Sequence, residues 1–257
     1  MANTSSRYNE KYRIFDIFDE KQVIQIKDYC RLLQLHDGET SVRSWNEVTL
    51  PQRQLVLKLK QNKEAYSQDN TLYDSLSPKL FNTRNAWSWW TTAVNITPPM
   101  YSVMDKGDFY KPHIDDPQGT GMFSTTVFLD DADTYEGGEL ELYIDGKVES
   151  FKLNAGQCIT YETGLPHQVK PVTSGTRRVI VFWAKATSTD FNQIYKLREN
   201  IIEQHKFATM LSPHGIFPLD HEDLTEDLNE FVAKPHVKLQ LETVDIYRFE
   251  HLNNKLP

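Results

Sequence analysis

The chain has 257 residues, with 28 Lys and Arg against 36 Asp and Glu and a formal net charge of −8. That length fits one large domain, or one domain with a sizeable extension, and 39% hydrophobic residues with 13 Phe, 12 Tyr and 5 Trp are enough to bury a core. The acidic balance argues against a nucleic-acid partner, whose phosphates need clustered Lys and Arg.

The first seven residues, Met1 to Arg7, lack the apolar run of a secretory signal. Residues 13–19 alternate apolar and polar and stop at Asp19. This predicts Asp19 as the N-cap of a helix from Glu20 to about Leu35, with Val23, Ile26, Cys30 and Leu33 on one face. A second helical pattern runs from about Gln52 to Tyr66, and a third from about Thr71 to Phe81. Lys58, Lys60 and Lys63 fall in the second and read as its solvated face. Trp87, Trp89 and Trp90 read as core or helix–sheet packing, with a substrate pocket as the alternative.

From Met100 onward the apolar period changes from 3.6 to 2. Strands are predicted over 100–105, 108–114, 122–129, 138–144, 147–153, 156–161, 167–171 and 176–184. Glycine-bearing turns separate them, and Asp145-Gly146 is a tight-hairpin signal. Many short strands in one stretch predict a mainly β protein, a double-stranded β-helix (jelly roll) with the amino-terminal helices covering one sheet. Phe191, Ile194, Leu197, Ile201 and Ile202 then suggest a further helix. Residues 186–257 hold seven Lys and Arg against twelve Asp and Glu and read as an appended segment. The expected organisation is a helical support region over 1–98, a jelly-roll core over 99–186 and a carboxy-terminal extension over 187–257, a candidate for a lid or a dimer contact.

Cys30 and Cys158 cannot make a disulfide framework and suit a reducing compartment, so a cytoplasmic protein is expected. No segment approaches the roughly 18–20 apolar residues of a membrane span, so no membrane partner is expected. Cys158 reads as a small buried residue of a strand. Asp130, Asp131, Asp133 and Glu136 lack the spacing of a calcium loop and read as a solvated loop.

The chemistry concentrates in Gly107-Asp-Phe-Tyr110-Lys-Pro-His113-Ile-Asp115. On a strand, residues two apart share a face, so His113 and Asp115 can aim an imidazole and a carboxylate at one point. His221 and Asp223 have the same spacing and read as surface loop. What distinguishes the first pair is His167, in Gly164-Leu-Pro-His167, which a jelly roll can return beside the earlier strand. Two His and one carboxylate form the facial triad of non-haem Fe(II), with positions left open for oxygen activation. In Arg177-Arg178-Val-Ile-Val-Phe-Trp183, both strand faces are otherwise apolar. An arginine held there needs an anion, either a structural Asp or Glu or the carboxylate of a diacid cosubstrate.

The order Gly-x-x-Tyr-x-x-His-x-Asp, Glu136-Gly-Gly-Glu-Leu140, Asn154-Ala-Gly156, His167 and Pro171-Val-Thr-Ser-Gly-Thr-Arg177 resembles the Fe(II)/2-oxoglutarate dioxygenases of the prolyl 4-hydroxylase-like group, in particular the bacterial hydroxylases of the PKHD type. The resemblance covers about 100–185 strongly and the preceding helices loosely. It implies that His113, Asp115 and His167 hold Fe(II), and that Arg177, rather than Arg178, binds the distal carboxylate of 2-oxoglutarate. It also implies O2 as cosubstrate and L-ascorbate as supporting reductant. The chain departs from the family at two positions: Met104 and Phe128 stand where relatives have tyrosines, leaving Tyr110 or Thr126 to assist Arg177. The implied reaction is hydroxylation of an unactivated C–H on an amino-acid side chain, prolyl-like and either free or peptidyl, with release of succinate and CO2. Asp115 favours hydroxylation, since related halogenases carry a small residue at that position. The alternatives are a nucleic-acid demethylase using the same iron chemistry and a non-catalytic cupin-like binding protein.

Overall fold

The structure, a computed structural model, describes residues 11–38, 59–67, 69–82, 95–115, 123–185, 211–212, 215–216, 224–235 and 237–238. Strand β1 (Tyr12–Asp16) leads into the helix Glu20–Cys30, followed by β2 (His36–Asp37), β3 (Lys60–Gln61) and β4 (Lys63–Tyr66). The helix Thr71–Asn82 precedes β5 (Asn95–Ile96), β6 (Met100–Met104), β7 (Phe109–Asp115) and β8 (Phe123–Phe128). Next come β9 (Glu136–Gly137), β10 (Leu140–Ile144), β11 (Lys147–Phe151) and β12 (Gln157–Glu162). The core ends with β13 (His167–Val169), β14 (Val172–Ser174) and β15 (Arg177–Lys185). Past it lie β16 (Leu211–Ser212), β17 (Gly215–Ile216) and the helix Leu228–Ala233.

The first helix starts where the sequence predicts. Asp19 accepts from the Gln22 backbone N–H at 2.8 Å, and the Gln22 side chain accepts from the Asp19 N–H at 3.1 Å, a reciprocal cap. It stops at Cys30 rather than Leu35, where the Leu32 and Leu33 N–H groups turn to the Tyr29 and Cys30 carbonyls at 3.0 and 3.2 Å; Val23, Ile26 and Cys30 are buried, Leu33 still packs against the same core, and Leu32 is 84% exposed.

The second predicted helix is corrected. Where the pattern suggests a helix up to Tyr66, the described part is two short strands, and residues 52–58 lie outside the described residues. Pairing overrides helical propensity here: β3 is hydrogen-bonded to β7 of one sheet and β4 to β6 of the other, with Asn62 at the crossing. Lys60 is consequently not on a solvated face; it is buried, while Lys63 is exposed and pairs with Asp105 at 3.1 Å.

All eight predicted core strands are present within a residue or two of their expected bounds, and they form two antiparallel sheets. The larger runs β1-β12-β8-β15-β6-β4-β2, with β5 continuing along β15. The smaller runs β11-β10-β13-β7-β17-β16, with β3 also paired to β7. The β10–β11 hairpin turns through Asp145 and Gly146 at φ 50° and 81°, the left-handed pair a tight primed turn requires.

Strand alternation produces two separate cores. Between the sheets lie Met104, Phe128, Leu140, Leu142, Ile144, Ile159, Tyr161, Val169 and Val179. On the outer face of the larger sheet, Val127, Cys158, Ile180 and Phe182 pack against Val23, Ile26 and Cys30 of the first helix and Leu72 and Leu76 of the second. Each such leucine stabilises the fold by about 1.5–3 kcal/mol relative to an exposed one. The amino-terminal helices therefore cover one sheet, as expected.

The described parts of the 187–257 segment attach to the core. Strand β17 pairs with the end of β7, Gly215 opposite Asp115, and Leu228, Phe231 and Val232 bury against Ile114 on the outer face of the smaller sheet. The helix suggested by Phe191 to Ile202 lies outside the described residues. Among those described, no helix is long and apolar enough to cross a membrane.

Candidate metal centre

Strand β7 supplies His113 and Asp115, and the first residue of β13 supplies His167 directly opposite His113. All three are buried, at 1%, 7% and 4% exposure, on the face of the smaller sheet that looks into the sandwich. One ligand atom from each lies within 4.8 Å of the others. Both histidine Nε2 atoms stand 3.6 Å from the Asp115 carboxylate, His113 from Oδ1 and His167 from Oδ2.

The hydrogen bonds fix what those atoms present. His113 Nδ1 lies 2.8 Å from the Lys111 carbonyl and His167 Nδ1 lies 2.9 Å from the Leu165 carbonyl. A carbonyl only accepts, so each Nδ1 carries a proton, and it is Nε2 that presents the lone pair inward in the neutral form of each ring. Burial, and then the neighbouring His167, holds the His113 pKa well below its usual value, so this ring is neutral. Asp115 is oriented from the opposite sheet: Trp183 Nε1 donates to Oδ2 at 3.0 Å, and Ser124 Oγ stands 3.4 Å away. Two imidazole lone pairs and a carboxylate converging without a bridging proton repel one another. A divalent cation relieves that repulsion, and the N2O donor set suits Fe(II). The residues fit the metal.

A bulge brings Tyr110 to the same face. Between His167 and Val169 the partner strand spans His113 to Tyr110, three residues against four along the two strands. The longer stretch contains Pro112, which has no N–H to lose from the ladder. Tyr110 therefore stacks on His113, centroids 3.7 Å apart and planes 17° apart. Burial, and then the Asp115 charge, raises its phenol well above its usual pKa.

On the larger sheet, Arg177 and Thr126 face the same interior. Arg177 is 3% exposed, and its Nε has no hydrogen-bond partner among the described residues. Its NH1 lies 3.9 Å from the Met104 sulfur, its guanidinium carbon lies 5.4 Å from the Phe128 ring, and the Tyr135 phenol stands beside it. No carboxylate among the described residues forms an ion pair with it. Burial weighs against its charge, which an incoming carboxylate would offset. Thr126 is buried between Ile159 and Val181. Arg178, on the other face, bonds both oxygens of Asp130, NH1 to oxygen 3.1 and 3.3 Å. Asp130 is therefore buried and structural rather than part of a solvated loop, whereas Asp131, Asp133 and Glu136 are exposed.

Three neighbours escape the sequence reading. Trp183 was legible only as a strand residue, and no spacing rule ties it to Asp115. Tyr135 is buried beside Arg177, and its phenol favours the charged guanidinium; both side chains pack around Gly138, where a Cβ would come within 3.0 Å of Arg177 Cδ and 3.2 Å of the Tyr135 ring. Lys60 lies over the Tyr110 ring, its Nζ 4.9 Å from the centroid. Trp87, Trp89, Trp90, His221 and Asp223 lie outside the described residues.

Comparison with known proteins agrees with this geometry. Residues 99–185 match the model of the 2OG-Fe(II) oxygenase superfamily. A PKHD-type hydroxylase of Hyphomonas neptunium is 40% identical over 107 residues, 39% of this chain and 48% of that protein. One from Nitrobacter winogradskyi is 30% identical over 154 residues, 55% of this chain and 68% of that protein. The chain spans about half the length of the Hyphomonas relative and of several others that it matches. Among solved structures, a Pseudomonas putida prolyl-4-hydroxylase superposes with a TM-score of 0.52 at 17% identity, covering 69% of this chain and 94% of that one. A Trichoplax adhaerens prolyl hydroxylase, solved with a hypoxia inducible factor peptide, gives 0.51 at 17% identity, covering 69% and 84%. At that identity the two structures establish the jelly-roll fold alone. With the family match, the breadth of the Nitrobacter alignment and an H-x-D…H iron-binding triad assembled in the fold, the chain belongs to the 2OG-Fe(II) oxygenase superfamily.

Proposed function

We propose that this enzyme hydroxylates an unactivated C–H of an amino-acid side chain, prolyl-like and either free or peptidyl, with release of succinate and CO2. The observation that carries the reading is the pairing, inside one sandwich, of three converging metal donors with a buried guanidinium that no carboxylate among the described residues pairs. The prolyl class is suggested by what the relatives are called: PKHD-type hydroxylases, and prolyl hydroxylases among the solved structures.

In this reading His113, Asp115 and His167 hold Fe(II), and Arg177 takes the distal carboxylate of 2-oxoglutarate. The Tyr135 hydroxyl beside it and Thr126 supply further hydrogen bonds in place of the tyrosines that Met104 and Phe128 replace. When bound, iron with 2-oxoglutarate supplies the activation of O2. The overall reaction balances as 2-oxoglutarate, O2 and R–H giving succinate, CO2 and R–OH, one oxygen atom going to each organic product. The chain's own contribution is positional: Trp183 and Ser124 orient the carboxylate, backbone carbonyls fix both imidazole tautomers, and the apolar walls keep water from the reacting centre.

The test is succinate formation from 2-oxoglutarate with Fe(II), O2 and L-ascorbate, using free L-proline and proline-containing peptides as substrates and methylated single-stranded DNA as a control. Hydroxyproline should accompany succinate, and His113→Ala or His167→Ala should abolish both. Turnover that persists in both variants would remove the triad. Product from DNA alone would replace the amino-acid substrate with a nucleic acid.

A further inference from the structure

The side of the sandwich next to β7 is closed by a buried ion pair that the chemistry above leaves unused. At Asn62 the chain crosses from the smaller sheet to the larger. The residues two before and two after it, Lys60 and Glu64, pair inside the corner at 8% and 0% exposure. Asn62 Nδ2 donates to Glu64 Oε1 at 2.8 Å and to Ser102 Oγ at 2.9 Å, which ties the carboxylate to β6. The register sets Lys60 opposite Tyr110, and its ammonium lies 4.9 Å from that ring's centroid. The same Tyr110 ring stacks on His113 at 3.7 Å. Ammonium, phenol ring and metal-binding imidazole thus form one contiguous series.

A buried ion pair rarely stabilises a fold more than apolar residues of the same volume. What it fixes is position, and a cation near an aromatic ring restrains that ring. Groups that orient a metal's ligands typically govern metal affinity by about 10–100-fold.

We propose that Lys60, held by Glu64 and Asn62, is a positioning residue for the iron site, clamping Tyr110 against His113 and so setting the plane of that imidazole. The inference rests on the iron-site reading above. Glu64 acts by fixing the ammonium, and Tyr110 transmits the restraint.

The test measures Fe(II) affinity anaerobically, by competition with a chromogenic chelator, alongside thermal unfolding of the metal-free protein. Lys60→Met should weaken Fe(II) binding by about tenfold and lower the unfolding temperature, since it strands the Glu64 carboxylate. Lys60→Met combined with Glu64→Leu should recover the unfolding temperature while iron binding stays weak. Lys60→Arg, which keeps a cation over the ring, should bind iron as the wild type does. In a Tyr110→Leu background, Lys60→Met should cause no further loss of affinity. A folded Lys60→Met/Glu64→Leu protein that binds iron as tightly as the wild type overturns the clamp, as does an undiminished effect of Lys60→Met in the Tyr110→Leu background. A His167→Ala variant that binds iron as tightly as the wild type overturns the iron site itself, and the clamp with it.

Discussion

Two adjacent arginines on β15 meet opposite fates because strand alternation sends them to opposite faces. Arg178 reaches the helix-covered side and closes on Asp130, which also pairs with Lys27 at 2.6 Å. Arg177 points between the sheets, where sulfur and an aromatic ring are its neighbours. Arg177→Ala should therefore weaken 2-oxoglutarate binding by about 10–100-fold, the worth of a charge-assisted contact, measured by calorimetry with Fe(II) present. Arg178→Ala should leave that affinity unchanged and cost about 1–2 kcal/mol in urea unfolding, because Lys27 still faces Asp130 and Arg178 is partly exposed. Equal effects of the two variants on cosubstrate affinity would contradict the assignment. From the sequence, His113, Asp115, His167 and this arginine pair were all legible, because strand spacing and motif order carry them. The choice between its two members came from the family resemblance and not from strand alternation, since the face each takes depends on which sheet packs against the helices.

Both thiols give a second check at the same scale. Burial pushes Cys30 up to about 12 and Cys158 well above its usual value. At pH 8 neither should be labelled by iodoacetamide in the native protein, and both should react once it is unfolded. The native state retains these protons while the unfolded chain loses them from about pH 9, so stability should fall as pH rises past that point. Rapid native labelling at pH 8 would show that the helix-covered core is open.

At the scale of elements, local signals succeeded where geometry is local. The Asp19 cap, the Asp145-Gly146 turn and the period of two along the core strands are all written within a few residues. The segment ending at Tyr66 failed because Lys60 and Glu64 have the spacing of a helical ion pair but meet across a crossover between sheets. Only the distant partners β7 and β6 decide that outcome. The bulge opposite His167 was hidden for the same reason, although Pro112 marks it in retrospect. Gly156 illustrates a sequence motif with a steric cause: at φ 85° an added Cβ would lie 2.3 Å from the Phe18 carbonyl oxygen. Its own carbonyl accepts from the Ile17 and Phe18 N–H groups at 2.8 and 3.0 Å, joining the end of β1 to β12. Gly156→Ala should destabilise the protein by about 1–3 kcal/mol, read from chemical denaturation; a change within error would mean that the β1 corner yields without strain.

For the molecule as a whole, the jelly roll followed from the density of short strands, but the attachment of the carboxy-terminal region did not. Its pattern is irregular and acidic, and nothing in it announces a strand that pairs with β7 or a helix that covers Ile114. Phe231 is fully buried in that contact. Phe231→Ala should lower global stability by about 3–5 kcal/mol, with a single cooperative unfolding transition. Loss of the carboxy-terminal helix alone, with the core's transition unmoved, would make the region an independent appendage.

The most direct test of the whole account is a crystal structure grown anaerobically with Fe(II) and 2-oxoglutarate, with iron located by its anomalous scattering. The account predicts one iron peak bounded by His113 Nε2, Asp115 and His167 Nε2, and the distal carboxylate of 2-oxoglutarate on Arg177. An iron peak elsewhere, or a cosubstrate carboxylate turned away from Arg177, would contradict it.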